Sequence, residues 1–501
     1  MNLISRLKTE SFARGMWLSV VFNILAKGIL FLLTILLAAY FGSNIKTDIY
    51  FFVYGSMVLL AGFINAIDHA VLIPQSMRLR QTDGDAAAMA FLNYFFRIYI
   101  FIGLAFVVLM YFFGTRIFGW MSKFSETDIE LYRNYFLLGS CYFFFLLLTN
   151  YINAILSSLK YFTVPMIISG INSCVVIAGI LLLHNQLDVL SVFISGIAAF
   201  IINLILVLIL MKKKLGWKFA VYPASISKKV LQNIGFAELG QMATMASSFL
   251  PLFILSGFGS GVVSLMNYGK NIADIPNSII TAQITSVSAI ELNERVAKND
   301  HLAMQQIFLR TGKLLLYLLV PISFFMFLFA QPIVQLFYVR GNFSITELDT
   351  AAEFLKWLSL AIFSTGINAL VARVFTAMQA IRQAFIYQIS LNALLFVLIW
   401  ILTGIYGAIG YPYAVIITGT INFVLMYIVC RLLFSELDYM ALIKYTGLLL
   451  IINGLIAIPL FYATAKMPVA GWLRLGLCFF VYLFLWLVLK NKLLKPADQH
   501  S

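Results

Sequence analysis

The chain is a succession of long apolar stretches separated by short polar ones, and that pattern predicts helices that cross a bilayer. A helix rises about 1.5 Å per residue, so about 20 apolar residues span the hydrocarbon layer. Stretches of that kind recur about fourteen times. They cover 16–41, 48–73, 88–113, 132–158, 163–184, 188–212, 229–257, 259–290, 312–338, 352–379, 383–405, 407–434, 443–465 and 471–489. In lipid every backbone polar group must be satisfied within its own segment or in a closed barrel. Segments this long and continuously apolar are read as helices, so the expected fold is an all-α polytopic membrane protein with about fourteen transmembrane helices.

Composition agrees. Of 501 residues, 62% are hydrophobic and 11% charged, against about 25% charged in a soluble domain. Too few charges exist to cover a water-facing surface. The net charge of +14 does not form a nucleic-acid patch, because the basic residues sit in short loops and at span ends. If the N-terminus and the even-numbered loops are cytoplasmic, that side holds about two thirds of the 34 Lys and Arg. The opposite side holds Lys46, Arg116, Lys123, Arg340, Lys466 and Arg474. Such a bias places both termini in the cytoplasm. Arg6, Lys8 and Arg14 precede an apolar run longer than a signal-peptide core of about 7–15 residues, so 16–41 reads as a retained first crossing. Cys141, Cys174, Cys430 and Cys478 lie in apolar segments without CxxC spacing and read as packing residues.

The longest basic loop, Lys212 to Lys229, separates six spans from eight, and the two sides resemble each other. Phe41-Gly42-Ser43 recurs as Phe258-Gly259-Ser260, Phe124-Ser125 as Phe343-Ser344, and Asn172 as Asn392, at offsets of 217, 219 and 220. A nearly constant offset is the signature of an internal repeat. Six spans per repeat is an even number, so the repeats are parallel. The expected organisation is two pseudo-symmetric six-helix lobes, 1–215 and 216–440, followed by two C-terminal helices and a tail in 441–501. A site between such lobes suits alternating access. The basic loop reads as a topology anchor or as a contact for anionic lipid head groups.

Polar residues at membrane depth each need a partner, a wet cavity or an interface. The richest set lies in span 8, where Asn267, Lys270, Asn271, Asp274, Asn277, Ser278, Thr281 and Thr285 share one helical face. That face lines a cavity or glues helices together. Ser19, Asn23 and Lys27 form a smaller stripe in span 1, with Lys27 near mid-span. Lys27 reads as a cavity cation for an anionic substrate or as half of an ion pair. Glu238 in span 7 reads as a coupling-ion ligand or an ion-pair partner. Asp68 with His69 reads as an interfacial cap or a proton relay, and Arg97, Arg133 and Lys356 pair locally or reach the interface. No HExxH, GxSxG or GxxxxGK[ST] occurs, so no catalytic constellation, metal site or cofactor is expected.

Three local motifs carry a family resemblance. Phe41-Gly42 followed by Thr47-Asp48-Ile49-Tyr50-Phe51-Phe52 is similar to an FG…TDAFF element. Tyr268 to Pro276, YGKNIADIP, resembles YADRLxxxP, and Leu336 to Phe343, LFYVRGNF, with Thr346 resembles LFxRGxFT. Together with the span count, they resemble the lipid II flippases of the MurJ (MviN) type, in the multidrug/oligosaccharidyl-lipid/polysaccharide exporter superfamily. The resemblance implies cavity cations that hold a lipid-linked pyrophosphate, with Lys27 on a first-helix arginine and Asp48 on the family's aspartate. Other cavity arginines fall on Leu33, near Ala61 and on Asn271, which leaves a less cationic hollow. The implied substrate is an undecaprenyl-pyrophosphate-linked saccharide, either lipid II or a related envelope repeat unit. The implied substrate-binding set is Lys27, Asn23, Asp48, Asn267, Lys270, Asn271 and Asp274, with Glu238 and Asp274 as ion-coupling groups. The last two spans would form a groove for the lipid tail. Lipid-linked oligosaccharide, membrane lipids and a coupling ion are the expected partners. A cation-coupled drug exporter and a non-transporting scaffold of glycan synthesis are the competing readings.

Overall fold

The computed structural model describes residues 12–159, 161, 163–219, 228–465 and 471–493, and all regular structure among them is helical. The helices are α1 (Phe12–Phe41), α2 (Ile45–Ile67), α3 (Ile73–Thr82), α4 (Asp85–Met121), α5 (Glu126–Leu131), α6 (Arg133–Ser158), α7 (Thr163–Leu187), α8 (Leu190–Leu215) and α9 (Lys228–Leu255). They continue as α10 (Val262–Pro276), α11 (Ala282–Ala297), α12 (His301–Leu328), α13 (Ala330–Tyr338), α14 (Ile345–Ser359), α15 (Ile362–Ala377), α16 (Ile381–Tyr406), α17 (Gly410–Leu433), α18 (Tyr439–Ala465) and α19 (Gly471–Leu493). Among the described residues nine helical stretches are long and apolar enough to cross a membrane, or ten if the bent pair α14–α15 is one crossing.

The stretches read from the sequence fall on helical segments, several of them interrupted, and clear crossings number nine or ten among the described residues against about fourteen expected. Arg382–Leu433 is one apolar stretch but contains two helices, α16 and α17, parted at Gly407. Only Gln241–Leu255 of α9 and Leu473–Val488 of α19 are apolar, and each is short. Span 8 is too polar to qualify and is broken by a π-helical turn, Asn277–Thr281, after Pro276. Two boundaries are corrected: the run 352–379 is parted between α14 and α15 at Leu360–Ala361, and the apolar run 312–338 is not a single helix. It starts within α12, which begins at His301, and continues past a break at Phe329 into the separate α13.

By compactness the chain divides into two units, Met1–Ser264 and Leu265–Ser501. The division follows α9 because α9 packs along α2. In the first unit α2 lies between α6 and α9, α4 packs on α6, and α7 packs on both α1 and α8. Phe52 on α2 is fully buried, with its ring against Phe118, Phe124 and Phe249. In the second unit α12 is the central helix, flanked by α11, α15 and α18. The C-terminal helices are fastened to it by paired bonds. Tyr317 donates its hydroxyl to the Trp486 carbonyl at 3.1 Å, Trp486 donates its indole N–H to the Tyr317 carbonyl at 3.1 Å, and the rings stack. Tyr482 also bonds to Asn453, which ties α19 to α18.

Local stereochemistry repeats at the sequence offset. Gly42 and Gly259, both preceded by Phe, hold φ of +63° and +107°, a region that glycine enters without steric cost. Asp188 and Gly407, 219 apart, end the fifth and eleventh spans with φ of +50° and +63°. The helix start at Ser125 and that at Ser344 both use a serine, a threonine and a carboxylate at the same spacing. Ser125 contacts Thr127 at 2.9 Å and Asp128 at 2.5 Å. Ser344 contacts Thr346 at 2.7 Å, and its N–H donates to Glu347 at 2.5 Å. Each arrangement satisfies donors that a helix start leaves unpaired. The second span of each repeat also carries a π-helical turn, Asp68–Leu72 in one and Asn277–Thr281 in the other.

Candidate functional site

The rotation of α10 is fixed by what its apolar side must touch. Tyr268, Ile272, Ala273 and Pro276 are buried. Tyr268 packs with Tyr338 and Phe343, and its carbonyl accepts the Tyr338 hydroxyl at 3.2 Å. At Gly269 the backbone of α14 comes so near that a Cβ would lie 2.7 Å from the Ala351 carbonyl oxygen and 2.9 Å from the Leu355 nitrogen. Only a residue without a side chain allows that approach. With Gly269 pressed on α14, helical geometry turns Asn267, Lys270, Asn271 and Asp274 to the other side.

Those four residues are half-buried or exposed, and Lys270 forms an ion pair with Asp274 one turn on, their side chains 41% and 55% accessible. Tyr411, at the start of α17, lies within electrostatic range of both charges and was not anticipated from the sequence. The pair is therefore a dipolar feature whose side chains are partly accessible. Exposed ion pairs contribute about 1 kcal/mol or less to stability, so folding alone gives little reason to place one in an apolar segment.

Further along span 8 the polar face closes. Thr281 and Thr285 are buried, Thr281 donates to the Asn277 side-chain oxygen at 2.8 Å, and Thr285 donates to the Thr281 carbonyl at 2.8 Å. Ser288 meets Thr311 of α12 at 2.9 Å. The stripe thus changes along its length, from an accessible section between Asn267 and Asp274 to hydroxyls bonded within the span beyond Asn277, with Ser288 reaching across to α12.

In the first unit Lys27 is exposed on α1 and has no ion-pair partner among the described residues. Asn23 lies one turn earlier on α1, and its side chain is outside the described set. Asp48 is fully buried. Its carboxylate accepts the N–H of Gly261 at 2.6 Å, and the N–H and hydroxyl of Ser264 at 2.7 Å each. Asp48 therefore closes the first turn of α10, where backbone donors have no intrahelical acceptor. Its oxygens are engaged by protein groups, so it positions α10 and presents no free acceptor.

Asp68 is 1% exposed. It accepts the Tyr99 hydroxyl at 2.6 Å and the Asn65 amide at 2.8 Å. Glu238 of α9 lies within electrostatic range of Asp68 and Tyr99, and its Oε2 is buried without a hydrogen-bond partner among the described residues. The same face opens to a polar cavity of about 380 Å³ lined by Asn65, Asp68, His69, Asn150 and Asn153. Sequence reading singled out Asp68 with His69, and Glu238 apart from them. It missed Tyr99 of α4, Asn65 of α2, and Asn150 and Asn153 of α6, which lie around Asp68. Among the described residues no group of three or more His, Cys, Asp or Glu is arranged to hold a metal.

Helices long and apolar enough to cross a bilayer define the class: a multi-pass membrane protein. Its fold is shared by the solved structure "Lipid II flippase MurJ, inward closed conformation", with a TM-score of 0.78 at 18% identity over 95% of this chain and 98% of that one. It is also shared, at a TM-score of 0.64 and 16% identity over 85% and 96%, by an inward-facing multidrug resistance MATE family transporter of the MOP superfamily. The chain belongs to the lipid II flippase MurJ family, whose model matches residues 37–483. A probable lipid II flippase MurJ of Rickettsia prowazekii is 26% identical over 242 residues, 47% of this chain and 46% of that protein. One of Borreliella burgdorferi is 22% identical over 364 residues, 71% of each. The chain thus aligns with about half the length of the first relative and more of the second.

Proposed function

We propose that this protein is a flippase that carries an undecaprenyl-pyrophosphate-linked saccharide, lipid II or a related envelope repeat unit, across the bacterial cytoplasmic membrane. The observation that carries the reading is the match to the lipid II flippase family over residues 37–483. The accessible ammonium groups of Lys27 and Lys270 support it, because charge at membrane depth is costly unless it meets water, a counter-ion or a ligand. Lys27 and Lys270 neutralise the pyrophosphate, while Asn23, Asn267 and Asn271 offer hydrogen bonds to phosphate or sugar. Asp274 holds Lys270 until an anion competes for it. Asp48 acts on the site through α10, by closing its first turn. The protein moves its substrate without making or breaking its bonds.

Fourteen crossings in two parallel lobes, 1–215 and 216–440, with the helices of 441–501 added and both termini cytoplasmic, form the framework of this reading. The repeated stereochemistry at Gly42 and Gly259, and at Ser125 and Ser344, supports that organisation. Rocking of the lobes gives alternating access, and Glu238 and Asp274 are the groups through which a coupling ion acts. A cation crossing about 100 mV carries about 2.3 kcal/mol per charge, enough to bias such an equilibrium.

The test is rapid depletion followed by mass spectrometry of lipid-linked precursors and a leaflet-accessibility assay. Precursors trapped on the cytoplasmic side, with drug tolerance unchanged, are the expected result. Lost drug tolerance with normal precursor export would make the protein an exporter. Full activity of a Lys27→Ala, Lys270→Ala double variant at normal protein level would leave only a scaffold.

A further inference from the structure

The stretch Lys212–Phe219 does not trail away from α8; it folds back onto α4. Trp217 is 4% exposed and donates its indole N–H to the Asn93 side-chain oxygen at 2.8 Å. Asn93 donates in return to the Lys218 carbonyl at 2.6 Å, and Phe219 packs near Phe96 with ring centres 6.1 Å apart. Asn93 is itself buried, so this clamp is a built feature of the interior. Under it lies a cavity of about 460 Å³ between α4 and α8.

The chemistry of its wall is uneven. Arg97 and Lys212 supply two positive charges, and no carboxylate lines the cavity. Neither cation has an ion-pair partner among the described residues. Arg97 donates one N–H to the Asn93 carbonyl at 3.3 Å, and its Nη2 is buried without a hydrogen-bond partner. A desolvated guanidinium nitrogen with no acceptor is costly, and phosphate oxygens suit its planar donor fork. The remaining wall is apolar, with Ile100 and Leu208 beside Phe96 and Phe219. Beyond it the surfaces of both helices stay apolar and exposed, through Phe101 and Leu104 on α4 and Ile205 and Leu206 on α8.

We infer that this cleft binds one anionic phospholipid of the cytoplasmic leaflet, with its phosphate between Arg97 and Lys212 and an acyl chain along the exposed apolar strip. Two cations above an apolar track match the charge and the tail of such a lipid, and the cytoplasmic leaflet is where anionic lipid meets basic span ends. The site holds the Lys212–Phe219 segment against α4, and so makes that segment's position depend on the surrounding lipid. It is separate from the residues assigned to the transported substrate.

Native mass spectrometry of the purified full chain in detergent, titrated with phosphatidylglycerol or phosphatidylcholine, tests the inference. The expected result is selective retention of one phosphatidylglycerol. Lys212→Gln weakens it about 5-fold, and Arg97→Gln with Lys212→Gln weakens it about 30-fold, if each cation near the surface contributes as basic residues usually do. Lys212 is exposed, so its substitution leaves the fold intact, and Arg97→Lys restores most of the binding lost in Arg97→Gln. Equal retention of both lipids, unchanged binding in the double variant, or displacement of phosphatidylglycerol by equimolar inorganic phosphate would each overturn the proposal. Preferential capture of an undecaprenyl-pyrophosphate lipid by the same two cations would also overturn it, assigning the cleft to the transported substrate.

Discussion

The second spans of the two repeats share an architecture and treat their charges in opposite ways. α2 runs through a π-helical turn into α3, and α10 runs through a π-helical turn into α11. Along the first path Asp48 and Asp68 are buried, with three and two donors respectively. Along the second, Lys270 and Asp274 stay partly accessible and pair with one another. A carboxylate enclosed by directed donors holds helices in place, because losing it leaves buried N–H groups unpaired. A half-open pair costs little to disrupt and leaves its charges available. Similar helices can thus carry either a structural fastening or a binding surface, depending on which face the packing closes.

The comparison breaks most visibly at Asp48. Asp48→Ala strands the N–H groups of Gly261 and Ser264, and the protein should lose about 3 kcal/mol of stability; thermal unfolding in detergent measures it, and an unshifted transition would show that α10 does not need this closure. Gly269→Ala comes next, since the added methyl meets backbone atoms of α14 that cannot swing aside. A loss of about 2 kcal/mol is expected, read in the same assay, with Gly28→Ala, where the space is open, as the control that stays near wild type.

Lys270→Gln reverses the pattern. Transport should fall about tenfold, as for loss of one charge-assisted contact of about 1.4 kcal/mol, while the melting temperature stays put. A matched loss of stability would place Lys270 among the structural groups with Asp48. The smallest effect tests the repeat itself. Ser125→Ala and Ser344→Ala each remove a helix-start acceptor and should each cost about 1 kcal/mol, and widely different values would show that the two helix starts are not energetically equivalent.

The helical, membrane-crossing class was legible because length and hydropathy decide it; a run such as 188–212 has few alternatives in lipid. The recurring local stereochemistry was legible too, since left-handed turns and helix starts restrict residue choice at Gly42, Gly259, Ser125 and Ser344. The site was legible only in part. Lys27, Lys270 and Asp274 stand out as charges in apolar surroundings, and all three proved accessible. Asp48 stood out equally, and nothing in the local pattern announces that Gly261 and Ser264, more than 200 positions away, take up its oxygens.

The sequence by itself determined that the chain is built of helices apolar enough to cross a bilayer and which side chains are too polar to face lipid, because these are properties of single segments in a solvent. Only the tertiary structure decided which of those side chains are enclosed and which remain open. That choice depends on which helix faces approach closely enough to exclude everything else, as α14 does at Gly269 and α12 at Ser288, and such contacts lie between segments that no local pattern connects.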